Sequence, residues 1–131
     1  MNTSSAWQPL YGCAVLADTD AAAYHRRWMV IDEHGSLLEP GGAPGLESVQ
    51  TSLSFGYLAL RAPGMLRLDI PLDVIEDDDS VVRQAQVNGA AVQVVDEGDL
   101  AAAWFSKLLD RSARLVKVHP DASPVSWPDT Q

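Results

Sequence analysis

The chain has 131 residues, 47% of them hydrophobic and 21% charged, which suits one domain with its own core, is too short for two, and is too apolar for a disordered segment. Eighteen acids against nine bases give a net charge of −9, which excludes an unspecific nucleic-acid binder and a protein drawn to anionic membranes, both of which work through excess Lys and Arg. The single cysteine, Cys13, excludes an internal disulfide and points to a reducing compartment.

The opening MNTSSAWQPLYGCAVLA lacks the basic start and long apolar run of a secretory signal. No later stretch approaches the roughly 20 apolar residues of a membrane span. The expectation is a soluble cytoplasmic protein without a membrane partner.

Taken in chain order, residues 1–10 read as an N-terminal arm, 11–119 as the domain, and 120–131, with three prolines and no pattern, as a flexible tail. Tyr11–Leu16 is apolar enough for a first strand, closed by the polar corner Asp18-Thr19-Asp20. Arg26–Asp32 is a second, ending in a turn at His34-Gly35. Trp28 and Val30 lie on one face of it and Met29 and Ile31 on the other, so it should be central, or covered by a helix. Pro40–Gly45 is a Gly/Pro loop, and Leu46–Leu60 predicts one or two strands around Phe55-Gly56. After the Pro63-Gly64 turn, Leu66, Leu68, Ile70 and Leu72 alternate with Arg67 and Asp69, the period of a half-buried strand. Asp73–Ser80 is an acidic loop.

Val81–Val87 and Ala90–Val95 flank Asn88-Gly89, a pair suited to the two positive-φ positions of a type I′ turn. That turn sets Ala85 opposite Val92 and Gln84 opposite Gln93. Asp96–Arg111 predicts the one main helix: Leu100, Ala101, Trp104, Phe105 and Leu108 share a stripe, and Asp99, Ser106, Lys107 and Asp110 lie opposite. Asp96 is placed to cap its start, and Lys107 and Arg111 suit the negative end of its dipole. Arg114–Val118 returns as a strand. The fold class is α+β: a small, mostly antiparallel β-barrel with one main α-helix near the C-terminal end, closure removing open strand edges.

Two stretches carry a resemblance. HRRWMVIDEHG, residues 25–35, is similar to the DRRWMLVDEDG of the N-terminal β-barrel domain that precedes the catalytic half of MOSC (molybdenum cofactor sulfurase C-terminal) proteins. DEGDLAAAWFSKLLDRSARLVKV, residues 96–118, is similar to that family's LDEGD, AAAWLSxFLGR and VRLVRV. The resemblance runs from about Gly12 to Pro120 and implies a MOSC N-terminal domain standing without its catalytic half.

The resemblance further implies a cofactor-binding role for Arg26, helped by Arg27, because the family's first arginine of DRxW reaches the terminal phosphate of molybdopterin. A guanidinium offers phosphate a planar fork of donors. The sequence also departs from the family. His25 replaces the aspartate before that arginine, the Lys and Ser of an opening YPIKSC are missing, and a later TQR is Leu38-Glu39-Pro40-Gly41 here.

No other motif carries chemistry. Cys13 has no base within ten residues and reads as a small core residue. His25, His34 and His119 are scattered, without metal-ligand spacing. Glu76–Asp79 lacks the alternating ligands and glycine of a calcium loop. Trp7 and Trp127 lie in the flanks, either tucked into the barrel or presented to a partner. The expected function is a non-catalytic binding or accessory module, with no metal or cofactor of its own. Molybdenum cofactor would come through a separate catalytic MOSC-domain protein. The alternative is an enzyme or enzyme fragment acting directly on that cofactor.

Overall fold

The computed structural model describes residues 7–13, 24–39, 42, 43, 45–72, 82–119, 125 and 127. Among these residues seven strands and one α-helix follow one another as β1 (Trp28–Ile31), β2 (Gln50–Ser54), β3 (Tyr57–Arg61), β4 (Leu68–Pro71), β5 (Val82–Val87), β6 (Ala90–Asp96), α1 (Asp99–Leu109) and β7 (Arg114–Val118). They form a four-stranded sheet in the order β1-β7-β6-β5 and a three-stranded sheet in the order β2-β3-β4, with every pairing antiparallel. This is the expected α+β class. Among the described residues no helix is long and apolar enough to cross a membrane.

The β5–β6 hairpin follows from its turn. Asn88 and Gly89 take φ of 52° and 85°, as a type I′ turn requires, and the strands then pair Ala85 with Val92 and Gln84 with Gln93. A second hairpin, β2–β3, turns at Phe55-Gly56 with φ of 48° and 86°. There a bulky residue occupies a left-handed position that Asn or Gly ordinarily takes.

Residues 35–38 close the four-stranded sheet. The Leu37 N–H donates to Gln86 O at 2.9 Å, the Gln86 N–H to Gly35 O at 2.8 Å, and the Leu38 N–H to Val30 O at 2.9 Å. The segment thus joins β5 to β1, the two outer strands, and few backbone groups remain as an open edge. Asp32 Oδ1 holds the turn that aims it, accepting the His34 and Ser36 N–H groups at 2.8 and 3.0 Å. Gly35 is required there: its φ is +83°, and a Cβ would stand 3.3 Å from the Gln84 carbonyl oxygen.

Two hydrophobic clusters lie on opposite faces of this sheet. Met29, Ile31, Ala85, Val87, Val92, Val94, Val116 and Val118 form one, together with Tyr11 and Trp127. Trp28, Val30 and Leu115 face the other, where α1 (Ala101, Trp104, Phe105, Leu109) and the three-stranded sheet (Leu58, Leu60, Leu68, Ile70) pack. All four residues of β1 are buried, matching its two apolar faces. β1 is nevertheless an outer strand, covered on its free side by residues 9–11 and 37–38 rather than by further strands.

Several expectations are corrected. Tyr11, Gly12 and Cys13 form a turn, with Gly12 at φ 89°, so a strand does not start there; residues 14–20 lie outside the described residues. Leu46–Ser48 is a single 3-10 turn, and the first hairpin strand starts only at Gln50. Leu66 is 86% exposed, because strand geometry begins at Leu68 and the Leu66 carbonyl is turned to accept the Trp104 indole N–H. Leu100 is 77% exposed; the buried stripe of α1 is carried by its alanines and by Trp104, Phe105 and Leu109.

Asp96 does not cap the helix, which begins at Asp99 after Gly98 with no side-chain cap. Its carboxylate ends β6 instead, accepting from the Gly98 N–H, Arg83 and Arg114. The expected acidic loop at 73–80 lies outside the described residues, as does most of the expected tail. Of the expected arm, Leu10 is fully buried and bridges Trp28.

Candidate functional site

The turn before β1 positions the two arginines. Arg26 takes φ 54°, its N–H donating to the Gln8 carbonyl at 2.7 Å. The Gln8 side chain fixes both sides of this turn: Oε1 accepts from Arg26 Nε at 3.2 Å and Nε2 donates to the Cys13 carbonyl at 2.8 Å. The Gln8 N–H donates to His25 Nδ1 at 2.9 Å, so that ring is held against residues 7 and 8, with Trp7 edge-on to it.

The Arg26 guanidinium lies over two stacked rings, 5.2 Å from the centroid of Tyr11 and 5.7 Å from that of Trp127. The rings are nearly parallel, at 14° and 4.8 Å between centroids. A cation over aromatic faces is attracted by their quadrupoles, and Gln8 Oε1 on its Nε helps to hold it there. Trp127 is thus tucked in, one of the two readings its sequence position allowed.

Arg27 is fixed through its backbone, its N–H bonding Tyr24 O and its carbonyl accepting from the Val118 N–H. Its half-buried side chain forms no ion pair or hydrogen bond among the described residues. Both arginines therefore stand at one end of β1. This end of β1 thus carries two consecutive cationic residues in a chain of net charge −9.

Next to them, the fully buried Trp28 has its indole N–H donating to Glu97 Oε2 at 2.7 Å, with the Lys117 ammonium 5.2 Å from its ring centroid. Lys117 also donates to the Leu72 carbonyl. The tryptophan of HRRW is thus bonded to the glutamate of DEGD.

Cys13 lies in the main core at 5% exposure, and burial pushes its thiol far above the ordinary cysteine range. A thiol held protonated is a poor nucleophile and a poor metal ligand. Among the described residues no three His, Cys, Asp or Glu side chains come together as a metal site.

Sequence reasoning missed one concavity. An open cleft of about 500 Å³ runs between the 32–35 turn, β5 and α1, lined by Asp32, His34, Arg83, Gln84, Ser106 and Arg114 among others. Its two arginines are engaged within the protein: Arg83 with Asp96 at 2.8 Å, Arg114 with Asp96 and Asp99, each at 2.8 Å. Its residues are spread across the chain, so no local pattern marks them.

The profile of the MOSC N-terminal beta barrel domain matches residues 13–112. The chain belongs to this family. Members similar to it include molybdenum cofactor sulfurase of Danio rerio, 32% identical over 122 residues, covering 86% of this chain and 15% of that protein. Mitochondrial amidoxime-reducing component 1 of Danio rerio is 33% identical over 101 residues, covering 76% and 30%. The component 2 protein of Bos taurus is 33% identical over 106 residues, covering 80% and 31%. The chain therefore spans less than a third of the length of these relatives. A protein of Bordetella bronchiseptica with a solution structure is 50% identical, with a TM-score of 0.83 and 98% of both chains covered.

For a MOSC N-terminal domain, the implied ligand group is molybdenum cofactor. Arg26 and Arg27 are the residues of this chain that would face its terminal phosphate, and a guanidinium is chemically suited to such a group.

Proposed function

We propose that this domain is a non-catalytic binding or accessory module of molybdenum-cofactor chemistry in the cytoplasm. It contributes Arg26, with Arg27 beside it, to the phosphate end of a pterin ligand that a separate catalytic MOSC-domain protein holds by the rest. The relatives named for molybdenum cofactor sulfurase and amidoxime reduction support the chemical setting. The burial of Cys13 carries the non-catalytic part: the one thiol of this sequence is sealed in the core and kept protonated.

The role of the site follows from charge and geometry. A guanidinium with partial solvent access contributes about 1.5–3 kcal/mol to a phosphate contact. Association costs at least about 4 kcal/mol in lost freedom. The domain alone therefore binds a phosphate-bearing pterin no more tightly than about millimolar, and useful affinity comes only with the partner.

Titration of the isolated protein with a phosphate-bearing pterin, followed through backbone amide shifts, tests this. The expected result is weak binding, lost in Arg26→Ala with the fold intact. Saturation at low micromolar ligand would show a complete site and overturn the accessory reading.

A further inference from the structure

The open cleft beside α1 lies at the end of β1 away from Arg26, where Ile31 leads into the 32–35 turn. Its two walls differ in charge. On one, Asp96 Oδ2 accepts both Arg83 Nε and Arg114 Nε, each at 2.8 Å, and the Asp96 side chain is only 6% exposed. One buried carboxylate therefore holds two guanidiniums side by side. Arg83 gives it only Nε, whereas Arg114 gives Nε and Nη2, the latter shared with Asp99. Both Nη groups of Arg83 and Nη1 of Arg114 have no acceptor among the described residues. Asp99 is 97% exposed, so water screens its charge.

The other wall is the turn, with Asp32 and Glu33. The Asp32 carboxylate is fixed through Oδ1, which accepts the His34 and Ser36 N–H groups, and its Oδ2 has no partner among the described residues. Between the walls α1 contributes Ala102 and Ala103, whose small side chains leave the space open. At about 500 Å³ the cleft falls within the roughly 300–1,000 Å³ of small-molecule sites.

We propose that this cleft binds a short zwitterion of dipeptide size, its carboxylate on the unused Nη donors of Arg83 and Arg114 and its ammonium on Asp32, with Glu33 beside it. A guanidinium offers a carboxylate a planar fork of donors. A simple anion would also meet the acids of the turn, and a simple cation the two guanidiniums; a ligand with both charges suits both walls at once. Because the charges stand on separate walls, the ligand needs them at opposite ends of a short chain, as in a dipeptide. The cleft shares no residue with the Arg26–Arg27 end of β1, so this site is independent of the phosphate contact proposed above.

Titration of the full chain with the dipeptide alanyl-alanine, followed through backbone amide shifts, tests it. Saturation is expected at about 10 mM or below, with the largest shifts at residues 32–35, 83 and 114. Two blocked probes separate the charges. The N-acetyl form, which lacks the ammonium, and the C-terminal amide, which lacks the carboxylate, should each bind at least about tenfold more weakly.

Arg83→Gln leaves Arg114 on Asp96 and should remove the preference for the dipeptide over its amide. Asp32→Asn keeps an oxygen for the turn and should remove the preference over the N-acetyl form. A variant that only loosened the fold would weaken all three probes alike.

The wild-type comparison needs no variant. No shifts at these residues with alanyl-alanine at about 50 mM, or a blocked probe that binds the wild type as well as the dipeptide does, overturns the proposal. So does a folded Arg83→Gln protein that keeps the full preference for the dipeptide over its amide.

Discussion

The indole N–H of Trp28 donates to Glu97 Oε2 at 2.7 Å across 69 positions of sequence. This bond joins the two stretches by which the sequence is assigned to its family. Trp28 opens β1 and is fully buried, whereas Glu97 follows the last residue of β6. An indole N–H without an acceptor at that depth is costly, which accounts for a carboxylate at the start of the helical stretch.

Glu97→Ala should therefore destabilise the fold by about 1–3 kcal/mol, the cost of stranding a buried donor. Glu97→Gln keeps an acceptor oxygen and should lose less than half of that. Urea unfolding of both variants checks it; equal losses would mean that Glu97 acts through something other than the bond to Trp28.

Trp104 anchors α1 on the three-stranded sheet side. It is 8% exposed, packs edge-on to Phe105 and donates to the Leu66 carbonyl at 2.6 Å. Trp104→Ala should cost about 3–5 kcal/mol in chemical denaturation, a large part of the roughly 5–15 kcal/mol available to a domain. A loss below about 1 kcal/mol would contradict the packing of this helix.

Asp96 should make stability depend on acid. Burial raises its carboxyl, but the Gly98 N–H and the guanidiniums of Arg114 and Arg83 outweigh that and hold it below the usual carboxylate range. Its folded value is depressed, so the unfolded chain binds the proton more readily. The stabilisation is complete above the unfolded value of about 3.9 and is lost as pH falls through the lower folded value. At neutral pH Asp96→Asn should cost about 1–3 kcal/mol. The gap between the two proteins should shrink below about pH 4, and an unchanged gap there would refute the assignment.

Cys13 should be almost inert in the native protein. At 5% exposure with its thiol kept protonated, it becomes reactive only when the surrounding core opens. Labelling with a thiol reagent should be complete at once in denaturant and slower by orders of magnitude without it, with a rate that follows stability across a urea series. Fast native labelling would place the thiol at the surface.

The purified domain should carry no stoichiometric molybdenum or zinc, since the described residues bring no ligand cluster together. Elemental analysis finding about one metal per chain would reject the accessory reading.

What was legible in the sequence was what local chemistry determines. Asn88-Gly89 specifies a turn and hence a register, and Ala85 meets Val92 as that turn demands. Trp104 and Phe105 lie in the buried stripe for the same reason. Leu66 and Leu100 follow the apolar period of their segments yet point outward, because a pattern does not say where a strand begins or how wide a helix's contact is. Asp96 resembled a helix cap, but Arg83 and Arg114 come to it from β5 and β7. No local pattern around Arg26 could reveal that its surroundings include Trp127, about a hundred positions away.

The place of β1 also determines when this chain can fold. Its paired partner is β7, which ends at Val118, so the first of the described strands to leave a ribosome waits for the last of them. Ring closure through residues 35–38 needs the β5 strand as well. Such distant pairings carry a large loop-closure entropy before any contact rewards it. Synthesis must therefore pass Val118 before the barrel forms, and a nascent chain stopped at α1 exposes both apolar faces of β1 at once. That interval, rather than the finished molecule, is where a chaperone would find something to hold.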